Sequence, residues 1–334
     1  MQSDHLIDKL ASYLPTTWKP SAGQSVASTA AASRQSTIGR NQFNIIRPRS
    51  IPRYPDWQSA FSEDAMRRAW QPVRAKKGAA NGESVLEFEQ KLDRNLGTLR
   101  QTLLRGDYRP KPVKQILIPK RDDKWRPITL WTVRDRVAQR AVYNYLEPIW
   151  EARFLNCNHG YRTGFSTHTA AEAIQQAYAD GMTWVWDADI KDCFGTMRDK
   201  TVVKRMREWR VPDPMQSLIS DWLQTRIQNA WGKRKRVGTS QGGVISPLLC
   251  NLYLHSLDRA MQQRRWRLVR YADDLVVMAQ SKRATLAAAR HASHTLTQLS
   301  LEINSEKTSI THFEEGFAFV GWFFVRNEAY RIKK

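Results

Sequence analysis

Cysteine is scarce in this sequence: Cys157, Cys193 and Cys250 are the three present in 334 residues, and no two form a CxxC pair. That scarcity argues against a disulfide scaffold or a structural zinc site. Long apolar runs are missing too. No stretch of 18 or more apolar residues occurs, and the start lacks the basic-then-apolar order of a secretory leader, so no membrane segment is expected. There is no GxGxxG, and the one GK pair, Gly232-Lys233, stands outside any phosphate-loop frame, which removes the usual reason to expect a dinucleotide fold. These absences leave a cytoplasmic globular protein as the expectation. Acids are also in short supply, with 32 Asp and Glu against 53 Lys and Arg, a formal balance of +21. Such an excess favours a polyanionic partner, nucleic acid before membrane.

Apolar residues make up 41% of the chain, and its length allows one large or two medium domains with real cores. A short helix is expected within 1–20, then a small, polar linker over 21–40 and an extended, proline-punctuated stretch over 41–60. The first 80 residues carry 12 Lys and Arg against 5 Asp and Glu, as suits an arm that follows a nucleic-acid backbone. From about residue 60 the pattern becomes regular. Val85, Phe88, Leu92, Leu96, Leu99 and Leu103 recur at three- and four-residue steps and predict one helix over 84–106, ending at Gly106. Further helices are expected over 133–150, 169–179, 251–261 and about 281–300. Strands are expected at 113–120, 184–190 and 317–325, the last being a strand or tight hairpin. The class is α+β.

One stretch breaks the usual rules. In RLVRYADDLVVMAQS, 267–281, Asp273 and Asp274 sit between apolar pairs, although acids are poor strand residues and costly to bury unpaired. A simple hairpin tip would explain two polar residues, but not the tyrosine before them and the LVV after them. A second acidic site, Asp187-Ala-Asp189, closes an apolar strand 84 residues earlier. If the two strands are neighbours, Asp189 and Asp273 face one small volume. Their charges then call for a hard cation such as Mg²⁺, in the manner of a two-metal phosphoryl transfer site. A DxD motif also serves metal-nucleotide binding in sugar transferases, so these residues alone leave both chemistries open.

The surrounding motifs narrow the choice. YADD at 271–274, DADIKDCF at 187–194, QGGVISPLLCNLYL at 241–254 and IPKRDDKWRPITLWTVRDRVAQRAV at 118–142 appear in order with HGYRTGFSTHTA at 159–170. LEINSEKTSITHF and GFAFVGW follow. Over roughly 65–324 the chain resembles the bacterial reverse transcriptases, particularly those encoded by group II introns and their free-standing relatives. The resemblance implies a right-hand polymerase with fingers and palm and no complete C-terminal thumb evident. Residues 1–60 would form a basic extension, 61–180 the fingers with N-terminal helices, and 181–334 the palm, with fingers elements interleaved.

The implied activity is RNA-directed DNA synthesis from a 3′-hydroxyl primer. Asp189 and Asp273 would hold two Mg²⁺ ions, for which Mn²⁺ could substitute, and Asp274 would complete the acidic cluster. Tyr271 would orient the hairpin or contact primer or nucleotide. Lys120 and Arg126 would hold the incoming triphosphate, as suits a point charge and a guanidinium fork. Phe194 would lie beneath the sugar and leave little room for a 2′-hydroxyl, selecting dNTPs over rNTPs. Gln241 would stand near the templating base, and Lys307 near the departing pyrophosphate. The partners implied are an RNA template, a DNA or RNA primer and dNTPs. A structured noncoding RNA is a further implied partner, and a partner protein, the N-terminal arm, another protomer or RNA would replace the thumb grip. RTGFS in place of the family's RPGRS loses an arginine at residue 165. Intron mobility and a free-standing role in phage defence or beside CRISPR adaptation both fit the motifs. An untemplated transferase and a noncatalytic RNA-binding maturase are the rival functions.

Overall fold

The computed structural model describes residues 51–76, 84–119, 125–228, 234–236 and 241–332. The arm expected over 1–60 therefore lies outside the described residues as far as residue 50, and so does Lys120. The described chain is a mixed α+β fold in two compact units, each built from separated stretches. One draws on Leu155–Lys191 and His255–Lys334; the other draws on Ser50–Phe154 and Asp192–Leu254.

The unit that begins the described chain opens with a 3-10 turn, Trp57–Phe61, and helix α1, Glu63–Arg74, which Ser62 caps by accepting from the Ala65 amide. The single helix expected over 84–106 is two: α2, Val85–Gln90, and α3, Leu92–Arg105. The break falls at Lys91, whose φ of −124° and ψ of 37° leave the helical region. Asn95 Nδ2 donates to the Phe88 carbonyl at 3.1 Å and gives that oxygen a partner beside the break. Gly106 closes α3 at φ 75°, a left-handed cap that glycine adopts without strain. Strands β1, Val113–Pro119, and β2, Trp125–Leu130, then pair antiparallel. Helix α4, Val133–Glu151, follows from a Thr132 cap. Further along the sequence come a single helical turn α5, Cys193–Thr196, helices α6, Asp199–Glu208, and α7, Asp213–Leu223, and strands β4, Arg226–Gln228, and β5, Arg234–Arg236. The sheet order is β2-β1-β4-β5.

The second unit is organised by the sheet β6-β7-β3-β8. Its strands are β3, Trp184–Asp189, β6, Arg267–Tyr271, β7, Asp274–Ala279, and β8, Ser309–His312. A three-stranded sheet, β9 (Phe317–Phe319), β10 (Trp322–Val325) and β11 (Glu328–Arg331), makes the expected terminal hairpin and adds a strand to it. Helix α8, Thr167–Ala179, starts at a Ser166 capping box and packs on β6. Helix α10, Lys282–Gln298, packs on β7 and β3. Helix α9, Ser246–Gln263, starts in the first unit and ends in this one.

Strand alternation decides what each face carries. Val185 of β3, Val269 of β6, and Val276 and Met278 of β7 join Ala170, Ile174 and Ala177 of α8 in one buried cluster, completed by Phe313, Phe317, Phe324 and Trp322. Asp187 and Asp189 continue the Val185 face, and Asp274 continues the Val276 face. One sheet face thus runs from an aromatic-aliphatic core into a row of carboxylates. Among the described residues no helix is long and apolar enough to cross a membrane.

Candidate active site

The two acidic motifs meet because β3 and β7 are hydrogen-bonded neighbours. Their register sets Asp189 opposite Asp274 and Asp187 opposite Val276. Beyond the strand end, the Ile190 amide donates to the Asp273 carbonyl at 3.3 Å. Tyr271 pairs with Asp274 across the β6–β7 turn, so Ala272 and Asp273 form its two-residue tip. Tyr271 is half-buried against the apolar cluster.

A third segment closes the strand end. The Asn304 amide donates to the Asp189 carbonyl at 2.8 Å, and Asn304 Nδ2 donates to Asp189 Oδ2 at 3.2 Å. Lys307 Nζ stands 3.8 Å from the same carboxylate oxygen, with Lys307 about half exposed and Asp189 mostly buried. Sequence reasoning picked out Lys307 and missed Asn304, whose signal was confined to its place three residues ahead of that lysine. The electrostatics are those of crowded acids. Burial first, then the charges of Asp274 and Asp189, push the Asp187 carboxyl up to about 7. Burial, the charges of Asp273 and Asp189, and a hydrogen bond with Asp189 likewise push Asp274 up to about 7, while Lys307 pulls the other way.

Arg126, Phe194 and Gln241 lie in the other unit. Arg126 is exposed on β2, opposite Ile118 of β1. Phe194 is buried, 7% exposed, in the single turn α5 that Asp192 enters at a left-handed φ of 42°. Gln241 is tied down by its main chain, whose carbonyl accepts from the Thr129 amide at 2.7 Å. The first glycine after it is required by contact: at Gly242, φ 116°, a Cβ would strike the Thr129 carbonyl, whereas at Gly243 one would meet the Ser246 hydroxyl, a side-chain end that can turn aside. Gln139 Oε1 receives the Val244 amide at 2.8 Å and holds this loop to α4. Asp135, in the expected fingers segment, accepts from the Tyr108 and Thr132 hydroxyls, which gives it partners other than the neighbouring arginines.

The family profile of reverse transcriptases (RNA-dependent DNA polymerases) matches residues 118–324, more than half of the chain, and spans every one of these acids. The chain belongs to the reverse transcriptase family. Among curated members and relatives, protein YkfC of Escherichia coli (strain K12) is 29% identical over 316 residues, covering 82% of each chain. The group II intron-encoded protein LtrA of Lactococcus lactis subsp. cremoris is 32% identical over 216 residues, 62% of this chain. This chain spans about a third of LtrA, the match covering 35% of it. The fold is also that of a solved apo telomerase from Candida tropicalis truncated from its C-terminal domain. The TM-score is 0.51 at 15% identity, over 66% of this chain and 55% of that one.

A reverse transcriptase of this kind implies a divalent metal. Among the described residues no group of three or more His, Cys, Asp or Glu is gathered closely enough to hold an ion as it stands. The donor chemistry nevertheless fits. The acids at the β3–β7 end offer hard carboxylate oxygens, and two of them, Asp187 and Asp274, are raised first by burial and then by the charges of neighbouring acids, a repulsion that a bound divalent cation relieves.

Proposed function

We propose that this chain is an RNA-directed DNA polymerase that extends a 3′-hydroxyl primer with dNTPs. The observation that carries the reading is the register that sets Asp189 opposite Asp274, with Asp273 at the adjoining turn, inside a reverse transcriptase family domain. We assign residues 61–180 to the fingers and 181–334 to the palm, with fingers elements interleaved. Asp189, Asp273 and Asp274 would hold the metal. Two Mg²⁺ ions, when bound, supply an activated primer hydroxyl and charge neutralisation at the leaving pyrophosphate.

The chain's own groups do the rest. Lys120 and Arg126 bind the triphosphate, and Lys307 offers a cation and a proton donor to the departing phosphate oxygens. The Phe194 ring excludes a 2′-hydroxyl and selects dNTPs over rNTPs by shape. Gln241, on a loop fixed by its neighbours, positions the nucleotide against the template. Intron-encoded relatives such as LtrA support placing this chain on the group II intron side of the family.

The test is extension of a labelled DNA primer on a defined RNA template with Mg²⁺, omitting each dNTP in turn. Extension that stops where the template demands the missing nucleotide is expected. Asp273→Ala should lower the rate by about 10³-fold or more, roughly 4 kcal/mol of transition-state stabilisation. Growth independent of template sequence would assign untemplated transfer instead.

A further inference from the structure

Arg270 of β6 is fully buried, and so is Asp258 of α9. The guanidinium grips that carboxylate as a fork, Nε to Oδ1 at 2.8 Å and Nη2 to Oδ2 at 2.6 Å. The remaining nitrogen, Nη1, donates to the carbonyl of Ala272 at 2.9 Å. Ala272 is the first residue of the hairpin tip, and its φ of 59° is left-handed, a conformation that a residue bearing a Cβ adopts at a cost. The same tip is shelved from another direction. A Cβ on Gly160 would collide with the Ala272 nitrogen and come within 3.0 Å of the Tyr271 carbonyl carbon, so only a glycine lets the two backbones approach this closely. The Arg270 main chain is pinned as well, its amide donating to the Cys157 carbonyl and its carbonyl accepting from the His159 amide, both at 2.7 Å.

Stability alone does not explain the pair, because a buried ion pair can often be replaced by apolar groups of similar volume without loss. What distinguishes arginine here is its third direction of hydrogen bonding. A lysine lacks the planar fork that meets both carboxylate oxygens while also reaching Ala272, and an apolar side chain offers no donor. We propose that the Arg270–Asp258 pair is a positioning device for the catalytic turn. It holds Ala272 left-handed and thereby sets where the carboxylates of Asp273 and Asp274 stand. This inference rests on reading those two residues as catalytic acids.

The experiment uses the full chain with Arg270→Lys and the apolar double variant Arg270→Met with Asp258→Leu. Three quantities are read: thermal melting, primer extension resolved into kcat and KM for dNTP, and binding of Mn²⁺ alone by electron paramagnetic resonance. The double variant should melt near the wild type while kcat falls about tenfold or more, the scale on which small misplacements of reacting groups act. KM for dNTP should stay near the wild-type value, Mn²⁺ should bind more weakly, and Arg270→Lys should fail to restore kcat. A folded double variant with wild-type kcat and Mn²⁺ affinity overturns the proposal. So does a double variant that does not fold, since the pair would then be a requirement of the fold. If the wild type binds Mn²⁺ without extending primers, DNA synthesis fails as the function, and weaker Mn²⁺ binding in the folded double variant still supports the positioning role. A wild type that neither extends nor binds Mn²⁺ overturns both.

Discussion

Two antiparallel hairpins in this protein use the same backbone geometry to opposite ends. In β6–β7, the strand after the turn is buried along its length from Leu275 to Ala279, and charged groups along the hairpin meet partners: Arg270 the Asp258 carboxylate, and Asp274 the Asp189 side chain. In β1–β2 the far end stands in water, with Leu117, Ile118 and Trp125 all exposed beside Arg126. Burial makes each charge in the first hairpin depend on built-in neighbours, whereas exposure leaves the second hairpin's cation available without structural cost. Substitutions that strip one buried group of its partner in the first should therefore disturb fold and chemistry together, and those in the second should touch substrate handling alone.

The sharpest challenge to that contrast is Gly160→Ala. The added methyl meets backbone at the hairpin tip, which cannot yield as a side-chain end can, so about 1–3 kcal/mol of stability should be lost. Chemical denaturation would measure this, and primer extension should fall with it; a variant as stable as wild type would mean that the tip yields freely. Next in size, Arg126→Ala should raise KM for dNTP by roughly tenfold, as expected for one charge-assisted phosphate contact, with no change in melting temperature. A lowered melting temperature would show that the exposed hairpin is structurally loaded after all.

A smaller effect reads the charge inside the buried site. Asp187 binds its proton more tightly folded, at about 7, than its ordinary value of 3.8, so its contribution favours the fold below about pH 4 and is lost as pH rises through 7. In metal-free buffer the melting temperature of Asp187→Asn, measured relative to wild type, should climb between pH 4 and 8, by about 2–4 °C for each kcal/mol relieved. A pH-independent difference would remove the crowding argument. Smallest of all, Trp125→Ser should leave stability within about 0.5 kcal/mol of wild type, as for an exposed side chain. Equilibrium unfolding of both proteins checks it.

Much of this was legible in the sequence because the elements with strong periods are those that hold the acids. The helices α4, α9 and α10 and the strands β3, β6 and β7 declare themselves by apolar spacing, and the pairing of β3 with β7 meets the condition on which the two acidic sites share one volume, with Asp274 and not Asp273 standing opposite Asp189. What escaped notice had weak local signals. Strand β2 contains Pro127, which reads as a breaker, yet β2 is the outer strand of its sheet, where a missing N–H is tolerated. Strand β8 is a short polar SITH that gains its identity from pairing with β3. Helix α7 hides behind Pro214 in its first turn, a position that suits proline. Asn304 and the Arg270–Asp258 pair belong to the last kind, side chains whose importance comes from the partner they meet and not from any spacing along the chain.

The pairing of β8 against β3 also sets a timetable for synthesis. Asp189 and its hydrogen-bond partner Asn304 are 115 residues apart, an interval that takes a ribosome about 6–23 s at roughly 5–20 residues per second. Throughout that delay the nascent chain carries β3 without β8, so the strand bearing Asp187 and Asp189 has an open margin that another chain can pair with. The Asp187 and Asp189 charges would act during those seconds as a guard, since a strand ending in unpaired aspartates is a poor template for stacking copies of itself.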